Sequence, residues 1–320
     1  MTAPATPVAR PDIVTGVDVA PGRTRPRGRS WDSLVENWLR GHTALIYLFL
    51  YIPIVVVVVY SFNGTSRRVT QWEGFSLRWY ESVLHDTVVQ GALANSFRVA
   101  LATAILSTLV GSMAALGLAR APRWFRAPFE ALTFVSIIVP EIVIALATLV
   151  FFASTIGRGG IVQELTGGPE IGLGFHTIVS AVALFNISLV LLLVRARLSG
   201  MDRTMVEASY DLFGTPWRTF WQITFPQLLP AIVAGFLLSF TFAFDDYLIT
   251  SFVNGRGTST IPLYVFSQIR KGVTPATNAV AAIMLLITLS VLLVGQLLTR
   301  RRGAGGQQTS VAGIIAEQGA

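Results

Sequence analysis

Six stretches of the chain, 43–62, 99–118, 131–152, 177–194, 229–252 and 279–298, are apolar almost without interruption. Each is about as long as a helix needs to be to cross the ~30 Å hydrocarbon layer of a membrane. The pattern predicts an all-α polytopic membrane protein with six transmembrane helices. Pro53, inside the first stretch, is expected to kink it, which neighbouring helices tolerate. Ahead of the first stretch, Trp31, Leu34, Val35, Trp38 and Leu39 recur on one helical face. Ser30 can cap that helix, and Glu36 and Arg40 pair four apart on another face. This predicts an amphipathic helix at 30–42 lying in the membrane interface. Residues 1–29, rich in Pro, Arg, Thr and Gly without periodicity, are expected to be a disordered tail. They lack the apolar core of a signal peptide. Residues 301–320 form a second tail beyond the main 43–300 body.

Composition agrees. A soluble chain of 320 residues would suggest about two domains. Here 52% of residues are apolar and 13% charged, against about 25% charged in ordinary globular chains. The net charge of +7 would suggest nucleic acid if read alone, but its distribution does not. Sixteen of the 24 basic residues fall ahead of the first stretch, after the sixth, in the 119–128 turn and in the segment between the fourth and fifth stretches. Seven fall in the three loops on the opposite side, and Arg98 at a span edge completes the total. Six spans put both ends on one side, and the basic bias makes that side cytoplasmic. Cysteine is absent, which excludes disulfides, thiolate metal sites and cysteine nucleophiles. His42, His85 and His176 are scattered at span edges and loops, so no metal site is expected.

Between the fourth and fifth stretches, Asp202 can cap a helix over 203–213, with Gly214 as its left-handed stop. Thr215 caps a second helix that has Pro216 at its first position. Trp217, Phe220, Trp221 and Thr224 share a side, and Pro226 and Pro230 are expected to interrupt it before the next span. From composition alone, this could be an amphipathic loop lying on its own bundle. No G-x-x-x-x-G-K-[ST], H-E-x-x-H, G-x-S-x-G or G-x-G-D motif is present, and Leu198-Ser199-Gly200 does not continue as an ATPase signature. No catalytic residue is expected.

Three ionisable residues lie within the spans: Glu141, Asp245 and Asp246. A charge at the bilayer centre costs about 2.5–3.5 kcal/mol or more, so such groups face a bundle interior or an aqueous cavity. Counting along straight helices puts Glu141 near mid-membrane. The two aspartates fall ~24 Å along the fifth span, toward its outer third. The acids could line a path for a cation. They could equally bond backbone freed by Pro140, or pair with Arg98 or a partner subunit.

Glu207-Ala208-Ser209 followed by Gly214, Phe220, Ile223, Pro226 and Pro230 resembles the EAA loop of ABC transporter permeases. Ser209 replaces the second alanine, Phe213 stands where that loop usually has glycine, and Gly214 comes one place later. YIPIVVVVVYSFN with QWEGFSLRWYESV, and FTFAFDDYLITSFVNG with IPLYVFSQIRKGVTPATNA, resemble the spermidine/putrescine branch of binding-protein-dependent importers. Together the matches cover about residues 43–300.

The resemblance implies a permease subunit in the inner membrane of a bacterium, with a cytoplasmic coupling helix (loop 199–226) that enters a groove of an ATPase subunit. Glu207, Ala208, Ser209, Asp211 and Gly214 would carry the coupling, with Trp217 and Phe220 packed beside them and Pro226 joining the loop to the fifth span. Glu141, Asp245 and Asp246 would line the substrate path. Implied partners are two copies of the ATPase, a second permease and an extracytoplasmic solute-binding protein, with ATP and Mg on the ATPase and no cofactor on this chain. The implied solute is a polyamine, another small solute being the alternative. A carrier or channel working alone is the rival from another class. An exporter permease is a third, disfavoured because the loop is an importer feature.

Overall fold

The computed structural model describes residues 29–65, 71–157, 160–166, 172–202 and 204–303, and both expected tails lie largely outside them. Secondary structure in the described residues is helical apart from an isolated antiparallel bridge, Asn63 to Phe75. The chain divides into two units, residues 1–54 and 55–320.

Helix α1 runs Arg29–Tyr60 without a break, so the expected interfacial helix and first span are one element. No cap or proline stands between Arg40 and Thr43 to stop it, and Pro53 lies inside the helix. Glu36 and Arg40 pair as expected, at 2.6 Å, both exposed. The large apolar side chains of this stretch, Leu45, Phe49 and Val55 among them, are exposed.

The loop after α1 is tied down by Asn63. Its Nδ2 donates to Gln71 O (2.7 Å) and its Oδ1 accepts from Glu73 N (3.0 Å). Helix α2 (Arg78–His85) comes next, and Trp79 Nε1 donates back to Asn63 O (3.0 Å). Asp86 then caps the 34-residue α3 (Thr87–Arg120) by accepting from Val88 N at 2.8 Å.

The expected third span is broken. Helix α4 (Arg123–Ile138) and α5 (Glu141–Thr155) meet at 107°. Pro140 has no N–H to continue the ladder and pushes Val139 out of helical geometry, to φ −62° and ψ 129°. After the short α6 (Ile161–Thr166), α7 (Phe175–Ser199) forms the fourth span.

Helix α8 (Thr204–Asp211) and α9 (Pro216–Thr219) make the loop between spans four and five. Contrary to expectation, Pro226 and Pro230 do not interrupt the helix before the fifth span. A π-helical turn, Phe220–Thr224, leads directly into α10 (Phe225–Asp245), and the helix runs on from Pro216 to Asp245. The wider turn lets Phe225 N bond back to Phe220 O, so the run absorbs a proline whose N–H is missing from the usual ladder. The fifth span ends at Asp245 rather than at residue 252. Asp246 is extended, at φ −64° and ψ 120°, and α11 (Leu248–Val253) starts afresh. The expected 253–276 loop contains another helix, α12 (Ile261–Lys271), and α13 (Pro275–Gly303) is the last span. Among the described residues, five helices are long and apolar enough to cross a membrane, six if α4 and α5 count as one span.

The core is the contact of α3, α7 and α10, with α5 and α11 added on one side. Its residues are small where helices meet: Ala100, Ala104, Ala181 and Ala243 are all buried beside Val99, Val182, Phe240 and Phe244. In lipid, where apolar contact alone gives little drive, such close approach supplies the packing. Buried hydrogen bonds fasten the ends, Thr177 Oγ1 to Val253 O (2.7 Å) and Ile261 N to Ser96 Oγ (2.8 Å).

Gly111 on α3 marks a close approach to α7: a Cβ there would lie 2.9 Å from Ile187 O and from Val190 Cβ. Gly117 on the same helix has open space around it. Gly111→Ala is therefore expected to destabilise the bundle by about 1–3 kcal/mol. Gly117→Ala is expected to leave stability equal or higher. Thermal unfolding of the detergent-purified complex measures both.

Candidate functional site

The break between α4 and α5 and the break between α10 and α11 face one cavity of about 300 Å³. Glu141 is the first residue of α5, and Asp246 lies two residues before α11. Both lie at helix N-terminal ends, where partial positive charge favours an anion. Asp246 is 7% exposed. Its Oδ2 accepts from Thr250 N (2.8 Å) and from Thr250 Oγ1, satisfying a donor that the new helix leaves open. Its Oδ1 has no partner. The Glu141 side chain belongs to the same cavity lining, close enough to Asp246 for the two carboxyls to feel one another's charge.

This arrangement overturns the depth expected from counting along straight helices. Glu141 does not stand apart from the aspartates, because the 107° bend at Pro140 brings it to Asp246. The aspartates themselves separate. Asp245 is exposed and lines a different groove, of about 480 Å³, with Tyr247, Pro262, Phe266, Met284 and Thr288. The Tyr247 and Phe266 rings meet there at a tilt, 4.3 Å apart, and Arg270 covers Phe266 at 4.9 Å.

Among the described residues the ion pairs are Glu36–Arg40, Arg126–Glu130 and Arg195–Glu130, so none uses these three acids or Arg98. The cavity also holds Asn186 of α7, fully buried, a neutral side chain and so not among the ionisable residues expected there. A signal is present in the chain all the same: Asn186 is a lone amide within an apolar span. The rest of the lining is apolar, with Ile137, Ile144, Phe185, Phe242 and Ile249. Among the described residues that line it there is no lysine, arginine or histidine. Two carboxyls at this range repel when both are charged, and a cation between them relieves the repulsion.

The loop between spans four and five is the second candidate. Asp202 Oδ1 accepts from Thr204 N (2.9 Å), which caps α8 and holds that carboxyl below the usual carboxylate range. The elbow differs from expectation. The left-handed residue is Phe213, at φ 58°, not Gly214. Phe213 N bonds Tyr210 O (2.9 Å) and Gly214 N bonds Ser209 O (2.8 Å), the two reverse bonds of a Schellman stop. The glycine is needed next door for another reason. A Cβ on Gly214 would lie 2.5 Å from Ser209 Oγ and 2.7 Å from Ser209 O. Ser209 Oγ in turn bonds Thr219 Oγ1 (2.8 Å), tying α8 to α9. Thr215 Oγ1 accepts from Arg218 N, with Pro216 at the first position, as expected.

Glu207, Ala208, Asp211, Trp217 and Pro226 are exposed, while Ser209, Gly214 and Phe220 are partly covered. Phe213 is 96% exposed and Leu212 82%. A loop lying on its own bundle would cover such side chains. Trp217, Phe220, Trp221 and Phe225 instead pack edge-on or tilted against one another, with Trp221 and Phe225 at 4.9 Å.

Residues 107–303 match the family described as binding-protein-dependent transport system inner membrane component. The spermidine/putrescine transport system permease protein PotC of Haemophilus influenzae is 36% identical over 258 residues, 80% of this chain and 94% of that protein. The putrescine transport system permease protein PotI of Escherichia coli K12 is 36% identical over 241 residues, 75% of this chain and 82% of that one. Among solved structures, a bacterial ABC transporter that imports the polysaccharide alginate matches with a TM-score of 0.68 at 12% identity. The match covers 85% of this chain and 99% of that one. The same kind of transporter, in complex with its alginate-bound periplasmic protein, gives 0.66 at 15% identity, over 85% and 98%. At these identities the structures establish the shared fold.

Gly214→Ala is expected to push α8 away from α9 and loosen the elbow. Phe213→Gly removes a left-handed strain of about 1–2 kcal/mol and is expected to tighten it. Limited proteolysis of the purified chain should show faster cleavage between α8 and α9 in the first variant and slower cleavage in the second.

Proposed function

The chain belongs to the family of binding-protein-dependent transport system inner membrane components, and we propose that it is the importer permease through which a polyamine of the spermidine or putrescine type crosses the membrane. The observation that carries the substrate is the cavity of Glu141 and Asp246, which is acidic, apolar elsewhere but for Asn186, and free of cationic side chains among its described residues. An aliphatic cation matches it in charge and in hydrocarbon character. The names of the relatives point the same way. Asp245, in its separate groove, is proposed as a further acidic group on the route.

The proposed assembly has two ATPase subunits carrying ATP and Mg, a second permease and an extracytoplasmic solute-binding protein. Both termini would be cytoplasmic, as the basic residues suggest. On that side the loop at 199–226 would enter the ATPase groove. Glu207 and Asp211 would meet polar partners there, beside Ala208 and the exposed Phe213 and Trp217, while Ser209, Gly214 and Phe220 hold the elbow's shape. Closure of the ATPase pair on ATP would push the elbow. The unbroken helical run from Pro216 through Pro226 to Asp245 would carry that push to the acidic break. At 30 residues the run is about 45 Å long.

A carrier working alone would need no such exposed elbow, and it would move solute without nucleotide.

Two results test the reading in proteoliposomes containing the full complex. Glu207→Lys is expected to leave membrane insertion intact while ATP hydrolysis and uptake come apart; both rates at parental values would remove its coupling role. Glu141→Gln and Asp246→Asn are each expected to lower putrescine uptake at least tenfold with the complex still assembled. Uptake at the parental rate in both would leave these acids a packing role only.

A further inference from the structure

We propose that Asn186 completes, with Glu141 and Asp246, a three-acceptor site for a primary ammonium group at the end of an aliphatic chain. The inference rests on the reading that this cavity lies on the solute's route. Asn186 Nδ2 donates to Val182 O at 3.2 Å. A carbonyl oxygen accepts only from the amide nitrogen, so this bond fixes which way the amide is turned. Its Oδ1 is left buried and without a partner.

An asparagine inside an apolar span is costly unless its oxygen is used, and helix packing offers it nothing here. The same is true of Asp246 Oδ1, whose sister oxygen is held by Thr250. Glu141 supplies the third acceptor. Three separate elements, α5, the α10–α11 break and α7, thus place side-chain acceptors on residues that line one cavity, and no side-chain donor beyond one committed amide.

The ligand class rests on hydrogen-bond stoichiometry. A protonated primary amine carries three N–H donors on one atom and can serve all three acceptors. A quaternary ammonium has the charge but no N–H, and it would leave both orphaned oxygens unmet. A zwitterion would bring its own carboxylate against Glu141 and Asp246. The remaining walls, Ile144, Phe185, Phe242 and Ile249, suit methylene groups.

Proteoliposomes with the full complex and loaded binding protein test the role of Asn186 through the putrescine moved per ATP hydrolysed. Asn186→Leu keeps the branched outline, with somewhat more bulk, and removes the acceptor; a fall of about tenfold is expected, with ATPase stimulation unchanged. Asn186→Ser, whose hydroxyl can donate to Val182 O and still accept, should return to within about threefold of the parent. A drop in uptake and ATPase together would mean a packing role and overturn the proposal. No drop in Asn186→Leu, while Glu141→Gln and Asp246→Asn lose uptake, would overturn it and leave the route intact. No effect in any of the three would overturn the route as well.

The ligand class is tested on the purified permease–ATPase complex without binding protein. Butylammonium should displace labelled putrescine at least tenfold better than butyltrimethylammonium. Equal displacement, or no saturable putrescine binding at all, would overturn the assignment.

Discussion

A backbone that stops being helical inside an apolar stretch must find new partners for its polar groups, and this constraint shapes the centre of the molecule. The chain breaks twice, after Ile138 and after Asp245. At the first break Val139 N still reaches Val135 O, and Pro140 has no N–H to satisfy. At the second, the carboxylate of Asp246 takes the donors of Thr250. The broken ends pack together, α5 against α11, and both irregular segments line one cavity. The acids that such breaks require at helix starts are thereby gathered where a cation can be met.

The loop between spans four and five solves a related problem at the surface. A short helix has to stop sharply while presenting apolar side chains outward. The Schellman stop at Phe213 does this by placing a phenylalanine in a conformation that costs about 1–2 kcal/mol for a residue with a Cβ. Gly214 and Ser209 then allow α8 and α9 to approach closely enough for the Ser209–Thr219 bond. The elbow is held by hydrogen bonds, its exposed face carries Phe213 and Trp217, and the helix leading from it reaches the acidic cavity without a break. Such a lever would serve a subunit that moves when another protein hydrolyses nucleotide.

The apolar stretches, Asp202 and Thr215 as caps, Pro216 at a first turn and the Glu36–Arg40 pair were all legible in the sequence, because each depends on neighbours within a few residues. Features set by geometry over longer range were not. Counting residues along a straight helix separated Glu141 from Asp246, whereas one bend reverses that. The prolines misled in opposite directions. Pro140 breaks its helix, yet Pro226 and Pro230 do not, since a π turn just upstream gives the chain slack. Glycine misled once. Gly214 suggested the left-handed stop but serves a close approach, and the left-handed residue is its neighbour. Asn186 was visible as an isolated polar residue, but only the cavity gave it a meaning.

The meeting of the two breaks can be measured directly, because the chain has no cysteine of its own. Cysteines introduced together at positions 141 and 246, in the assembled complex, should join under mild oxidation or a short bifunctional reagent. The linked peptides would be read by mass spectrometry, with a pair at 96 and 261 as the positive control. Efficient linkage is the expected result. No linkage between 141 and 246, in a complex whose control pair reacts, would contradict the account.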